Sequence, residues 1–206
     1  MTEINYLIPD YYSKFTCIAD RCPITCCQEW KIGVDADTNR KWKKLQAPET
    51  LPEQKKNLSA YTIKKDGQRV IGLDSDHRCP FLNSEKLCRL VVAYGDKVLS
   101  ETCTTFPREE HRFPTHNEKM LMPCCPAVID LWNKQKSLHF PNVSDTLSDT
   151  GDTDTSVLFL LREKLLNLLD DSSRTIEEEL LESFYILQEL YQHQPLTKEL
   201  LEDYFS

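Results

Sequence analysis

Apolar and polar positions change period several times along the chain, and each change marks an element. Residues 6–15 are rich in aromatic side chains and lead to the first cysteine, Cys17. Residues 31–34, Lys-Ile-Gly-Val, predict a short strand. Residues 37–45 predict a helix capped by Asp37 or Thr38, with Trp42 and Leu45 facing inward. The β-prone runs 61–64 and 69–73 flank Asp66-Gly67, a strong hairpin signal. Residues 87–94 read as helical, with Gly95 as the stop. Cys103 falls in a polar loop that ends at Phe106-Pro107-Arg108. A further helix runs from Pro126, suited to a first turn, to about residue 135.

Residues 136–156 then turn almost wholly to Ser, Thr, Asp and Gly, the composition of a linker or surface loop. Three helices follow. Residues 157–169 are apolar on most sides, which predicts burial. Residues 175–193 open with a capping box, Thr175 and Glu178, and carry an apolar stripe at Ile176, Leu180, Phe184, Leu187 and Tyr191. Residues 197–205 form the last, whose Leu200, Leu201 and Phe205 need cover, as a partner surface or a truncated product would. The pattern predicts a helix-dominated α+β fold: a cysteine-rich, metal-centred domain with a small hairpin over 1–135, a polar linker over 136–156, and a helical region over 157–206.

Composition narrows the function classes. The 206 residues are 40% hydrophobic and 28% charged, in the globular range, and the net charge is -8. An acidic chain is a poor nucleic-acid binder, because that binding rests on Lys and Arg against phosphates. The longest apolar run, 157–161, is too short to span a bilayer, and residues 1–5 lack the basic-then-apolar pattern of a secretory signal. The default location is the cytoplasm, with no membrane and no nucleic-acid partner.

The nine cysteines are the anomaly: 17, 22, 26, 27, 79, 88, 103, 124 and 125. In a reducing compartment such density argues for metal binding rather than disulfides. The count is odd, and Cys26-Cys27 and Cys124-Cys125 are sequence neighbours, which bridge each other only with strain. The spacing matches neither the ferredoxin run nor a zinc ribbon. An all-thiolate site suits zinc or an iron–sulfur cluster, and spacing alone leaves both open. Only five glycines are present, with no G-x-G-x-x-G and no P-loop, so a nucleotide-binding Rossmann or P-loop reading fails. No G-x-S-x-G and no H-E-x-x-H occurs either.

Phe15-Thr16-Cys17, Cys22, Cys26-Cys27-Gln28-Glu29-Trp30-Lys31-Ile32, Cys79-Pro80-Phe81-Leu82, Leu87-Cys88-Arg89, Cys103-Thr104 with Phe106-Pro107-Arg108, and Cys125-Pro126 stand in one order. Together they resemble the bacterial flagellin lysine-N-methylases, within a broader set of Cys-x3-Cys-Cys metal-chelating proteins. The resemblance covers about residues 5–135. It implies a [4Fe–4S] cluster, S-adenosylmethionine as methyl donor, and surface lysines of flagellin as substrate. It also implies that the cluster's four ligands come from Cys17, Cys22, Cys26, Cys27, Cys79, Cys88, Cys103 and Cys125. Cys22, Cys26, Cys27 and Cys88 come first in preference, and Cys124 stands outside the set. Members of the family continue well beyond this length, so weak activity is expected of these residues alone.

Other residues have two readings each. Arg108 could hold the carboxylate of S-adenosylmethionine through its fork, or make a structural bond that positions the Cys103 loop. Trp30, Ile32 and Val34 could shield a cluster or simply pack the core. Tyr6, Tyr11 and Tyr12 could cage a lysine ammonium or close the core. His111 and His116 could be ligands or solvated loop histidines, and His111 is also a candidate base. No catalytic residue is identifiable. The alternative to an enzyme is a non-catalytic zinc- or iron–sulfur-binding interaction module.

Overall fold

The computed structural model describes residues 6–135, 154–169, 173–193 and 195–205. The fold is helix-dominated α+β, and the chain divides into two compact units. One holds residues 6–112 and 117–135. The other holds the later helices together with Phe113–His116. Residues 136–153, most of the expected linker, lie outside the described residues.

The cysteine-rich unit opens with β1, Tyr6–Leu7, and two 3-10 turns, Tyr12–Lys14 and Ala19–Arg21. Helix α1, Ala36–Trp42, is capped by Asp35, whose carboxylate accepts from the Thr38 amide at 2.8 Å. The cap therefore falls before Asp37 and Thr38, the two residues expected to supply it. Strands β2, Thr62–Lys65, and β3, Gln68–Ile71, form the expected hairpin in the register Thr62↔Ile71 to Lys65↔Gln68. Its turn needs positive φ at both central residues, and Asp66 (50°) and Gly67 (75°) supply it. Residues 31–34 run beside β3 without becoming a full strand: Gly33 bridges Val70, and the Ile71 amide donates to the Ile32 carbonyl at 2.9 Å. Helix α2, Arg89–Tyr94, stops at Gly95, which holds φ 75°.

Two further features depart from expectation. Cys103 lies inside a helix, α3, Glu101–Thr105, because Ser100 caps it by accepting from the Cys103 amide at 3.3 Å. Next come β4, Arg108–Arg112, and β5, Asn117–Leu121, paired antiparallel, with β1 parallel on the far side of β5. The two strands read Arg-Glu-Glu-His-Arg and Asn-Glu-Lys-Met-Leu, with no clear apolar alternation to announce them. Their register sets Glu110 opposite Lys119, a favourable cross-strand charge pair. Helix α4, Pro126–Asn133, follows with Pro126 in its first turn.

This unit has two hydrophobic clusters. One gathers Ile32, Val34, Trp42, Leu58, Tyr61, Ile71, Cys79, Phe81 and Leu90, and half-buried Cys27, Cys88 and Cys103 pack against it. The other gathers Tyr11, Phe15, Leu121, Cys125 and Val128. Ile32 and Val34 are thus core residues, as is Tyr11.

The helical unit contains α5, Asp154–Leu168, α6, Ile176–Gln192, and α7, Lys198–Tyr204. Both bonds of the Thr175–Glu178 capping box are present. The core is Val157, Leu161, Ile186, Leu190 and Leu201. The inward face of α6 is Glu179, Ser183, Ile186 and Leu190, whereas Ile176, Leu180, Phe184, Leu187 and Tyr191 are 46–78% exposed. Two stripes of similar spacing run along α6, and the partners on α5 and α7 select the less apolar one. The apolar face expected to lie open on α7 is covered instead: Leu201 is fully buried, and Leu200 and Phe205 pack on the same core. Among the described residues no helix is long and apolar enough to cross a membrane.

Candidate metal centre

Backbone hydrogen bonds tie the separated cysteine segments together. Cys17 and Cys22 flank the 3-10 turn Ala19–Arg21, with the Ala19 amide 3.4 Å from the Cys17 sulfur. At the vicinal pair, the Cys27 amide donates to Thr25 Oγ1 at 3.1 Å, and the Trp30 indole donates to the Cys26 carbonyl at 2.6 Å. The Cys79 amide donates to the Cys27 carbonyl at 2.7 Å, and Gln28 bridges Arg78. Cys88 bridges Leu82, whose amide in turn donates to the Cys79 carbonyl at 3.0 Å.

The segment carrying Cys103 is held from α1. Asp35 accepts from the Glu101 amide at 3.0 Å, and the Trp42 indole donates to the Val98 carbonyl at 2.8 Å. Gly33 runs so close that a Cβ there would lie 2.8 Å from Thr102 Oγ1, so only glycine fits without a shift. Cys125 precedes α4 and is buried in the second cluster, while Cys124 is exposed.

Electrostatics follow from burial and crowding. The Cys26 thiol donates to Cys27, which holds the Cys26 proton firmly and draws Cys27 down to about 7 against its burial. Burial raises Cys79 well above the ordinary thiol value, with the Cys27, Cys88 and Cys103 sulfurs adding to the rise. Burial likewise raises Cys103 to about 11 and raises Cys88, although the Val91 and Leu90 amides partly offset the latter. Cys125 is raised by burial, and Cys22 and Cys17 are close enough to contribute. The structure therefore brings Cys26, Cys27, Cys79, Cys88 and Cys103 into one neighbourhood and Cys17, Cys22 and Cys125 into an adjoining one. Among the described residues no three His, Cys, Asp or Glu side chains converge on one point as a single ion would require.

Asp35 bears on the site because it joins α1 to α3. Burial pushes its carboxyl up, but the Glu101 and Thr38 amides outweigh that and hold it at about 2. A depressed carboxylate contributes stability that is full above its ordinary value near 3.8 and is lost as pH falls toward about 2. Asp35→Ala is expected to cost about 1–3 kcal/mol in urea unfolding at neutral pH. It should also flatten the acid limb of the stability curve between those two values. An unchanged acid limb would contradict this account.

The Arg108 guanidinium lies over aromatic rings, 5.0 Å from the Phe15 ring centroid and 5.9 Å from that of Tyr12. Among the described residues it forms no ion pair with a carboxylate. Lys119 sits 4.5 Å over the Tyr6 ring. Trp30 is half-exposed, 5.4 Å from the Phe106 ring. His111 lies on β4, 3.6 Å from Glu109. His116 is 2% exposed, stacks on Phe113 and lies 5.0 Å from the Phe159 ring, so it is a core residue rather than a solvated one. In the helical unit an open groove of about 550 Å³ is lined by Leu168, Leu181, Tyr185, Ile186 and Phe205. Its charges are already engaged: Arg174 pairs with Glu182, and Glu178 closes the capping box.

No family model and no solved structure matches the chain. A Lysine-N-methylase of Salmonella typhimurium (strain LT2) is 28% identical over 182 residues, covering 82% of this chain and 42% of that protein. A Lysine-N-methylase of Salmonella choleraesuis matches to the same extent. The Flagellar biosynthetic protein FliU of Salmonella muenchen is 29% identical over 139 residues, 62% of this chain and 76% of that protein. The chain spans less than half the length of the two methylases it matches. With its cysteine motifs in one order and these relatives, the chain is similar to the flagellin lysine-N-methylases.

Proposed function

We propose that the chain acts in S-adenosylmethionine-dependent N-methylation of flagellin lysines, with its cysteine-rich unit built around a [4Fe–4S] cluster. The observation that carries this reading is the match over 82% of the chain to proteins named Lysine-N-methylase. The donor set fits a cluster: it is all thiolate, and each ligand of a four-iron cluster binds a different iron, so the sulfurs need not meet at one point. That also favours a cluster over a single zinc ion, which gathers its ligands tetrahedrally.

In the reaction the lysine nitrogen attacks the sulfonium methyl in line. The carbon–sulfur bond breaks, S-adenosylhomocysteine leaves as a neutral thioether, and the nitrogen loses a proton. Lysine titrates near 10.4 in water, so the amine must be presented neutral. Methyl transfer from a sulfonium consumes no electron, which makes the cluster's contribution one of structure. Arg108, fixed over Phe15 and Tyr12, offers its guanidinium to the carboxylate of the methyl donor.

The test uses cluster-replete protein, radiolabelled methyl donor and cognate flagellin. The chain is assayed alone and joined to the remaining sequence of a methylase relative. Label should enter flagellin lysines, more with the longer form, and Arg108→Ala should raise KM for the donor about tenfold or more. No label in either form would leave the non-catalytic metal-binding module as the reading.

A further inference from the structure

We infer that Cys27, Cys79, Cys88 and Cys103 are the cluster ligands, and that Cys17, Cys22 and Cys125 stand outside the centre. This rests on the cluster reading above and selects four of the eight candidate cysteines.

Three observations carry it. The first is packing: Cys79 is part of the hydrophobic cluster built on Trp42 and Phe81, and Cys27, Cys88 and Cys103 are the half-buried cysteines packed against it. Cys125 belongs to the other cluster, with Tyr11 and Leu121. The second is the main chain. Cys27 is bonded to Cys79, and Cys79 is linked to Cys88 through Leu82. The Arg89 amide reinforces that link by donating to the Phe81 carbonyl at 2.7 Å. The Cys103 helix is clamped to the same core by Asp35 and Trp42. The third is mutual proximity. Cys79 feels Cys27, Cys88 and Cys103; Cys103 feels Cys27 and Cys88; Cys88 feels Cys27. Every pairing within the four is therefore present. Four thiolates complete the ligand set of a four-iron core.

The remaining thiols are arranged differently. Cys125 feels Cys22 and Cys17. Cys26 is exposed and feels Cys17 on one side and Cys27 and Cys103 on the other, which places it at the rim. Sequence proximity favours Cys22 and Cys26 as partners of Cys27. The folded chain replaces them with Cys79 and Cys103, which come from distant segments.

The test is differential alkylation of the wild-type protein, purified anaerobically, with iron, zinc and acid-labile sulfide measured alongside. Iodoacetamide should modify Cys17 and Cys22 in loaded protein while Cys27, Cys88 and Cys103 are protected. After chelation of the metal those three should become labelled. The double variant Cys17→Ser/Cys22→Ser should retain iron and visible absorbance within about 20% of wild type, whereas Cys88→Ser should lose both. Protection of Cys17 and Cys22, or loss of iron in the double variant, would overturn the assignment. Zinc instead of iron, with the same protection pattern, would overturn the iron–sulfur reading and leave the ligand set standing. Protein holding neither metal would overturn both.

Discussion

Trp42→Ala should unfold the cysteine-rich unit or bring it to the edge of unfolding. Trp42 is 1% exposed and meets Phe81 edge-on at 5.6 Å. Truncating a buried tryptophan costs about 3–5 kcal/mol in lost transfer energy and cavity. The Val98 carbonyl would also lose its 2.8 Å donor in a buried setting, adding roughly 1–3 kcal/mol. A domain of this size is stable by only about 5–15 kcal/mol, so the sum approaches the total. Urea unfolding followed by circular dichroism checks the size. Trp42→Phe separates the contributions: it keeps most of the packing and should cost less than half as much. If Trp42→Ala changed stability by less than about 1 kcal/mol, the core described above would be wrong.

On the proposed cluster, stripping the metal should have a comparable effect, confined to one unit. The cysteine-rich unit is built from short elements, so ligation energy there would also be folding energy. The helical unit has a separate core of Val157, Leu161, Ile186, Leu190 and Leu201 and no cysteine. Amide hydrogen exchange on chelated, anaerobic protein should show protection lost across residues 30–130 and kept in α5 and α6. Uniform protection in the stripped protein would show that the first unit folds without a metal.

Much of the fold was readable because local chemistry dictated it. Asp66-Gly67, Gly95, Pro126 and the Thr175–Glu178 box each satisfy a backbone requirement within a few residues, and each appears where the sequence placed it. The misses needed information from further away. Strand β4 is polar at all five positions and owes its existence to pairing with β5. On α6 the apolar periodicity is real, but which stripe is inward depends on where α5 and α7 lie, and the more apolar stripe lost. The candidate centre was legible as a list of cysteines and not as a grouping. Neighbours such as Cys27 and Cys79 are joined by a hydrogen bond between residues 52 positions apart in the chain.

That long-range assembly has a consequence for biosynthesis. Chains leave the ribosome from the N-terminus at about 5–20 residues per second. Cys27 emerges early, yet its neighbours Cys79, Cys88 and Cys103 come from segments that appear later. No nascent fragment ending before α3 can present the full set of sulfurs. Until then Cys26 and Cys27 travel as an unshielded vicinal dithiol, open to oxidants and to stray soft metal ions. On the proposed ligand set, delivery of metal would be deferred to a nearly finished domain, and the interval before Cys103 appears is when the chain would most need a reducing environment.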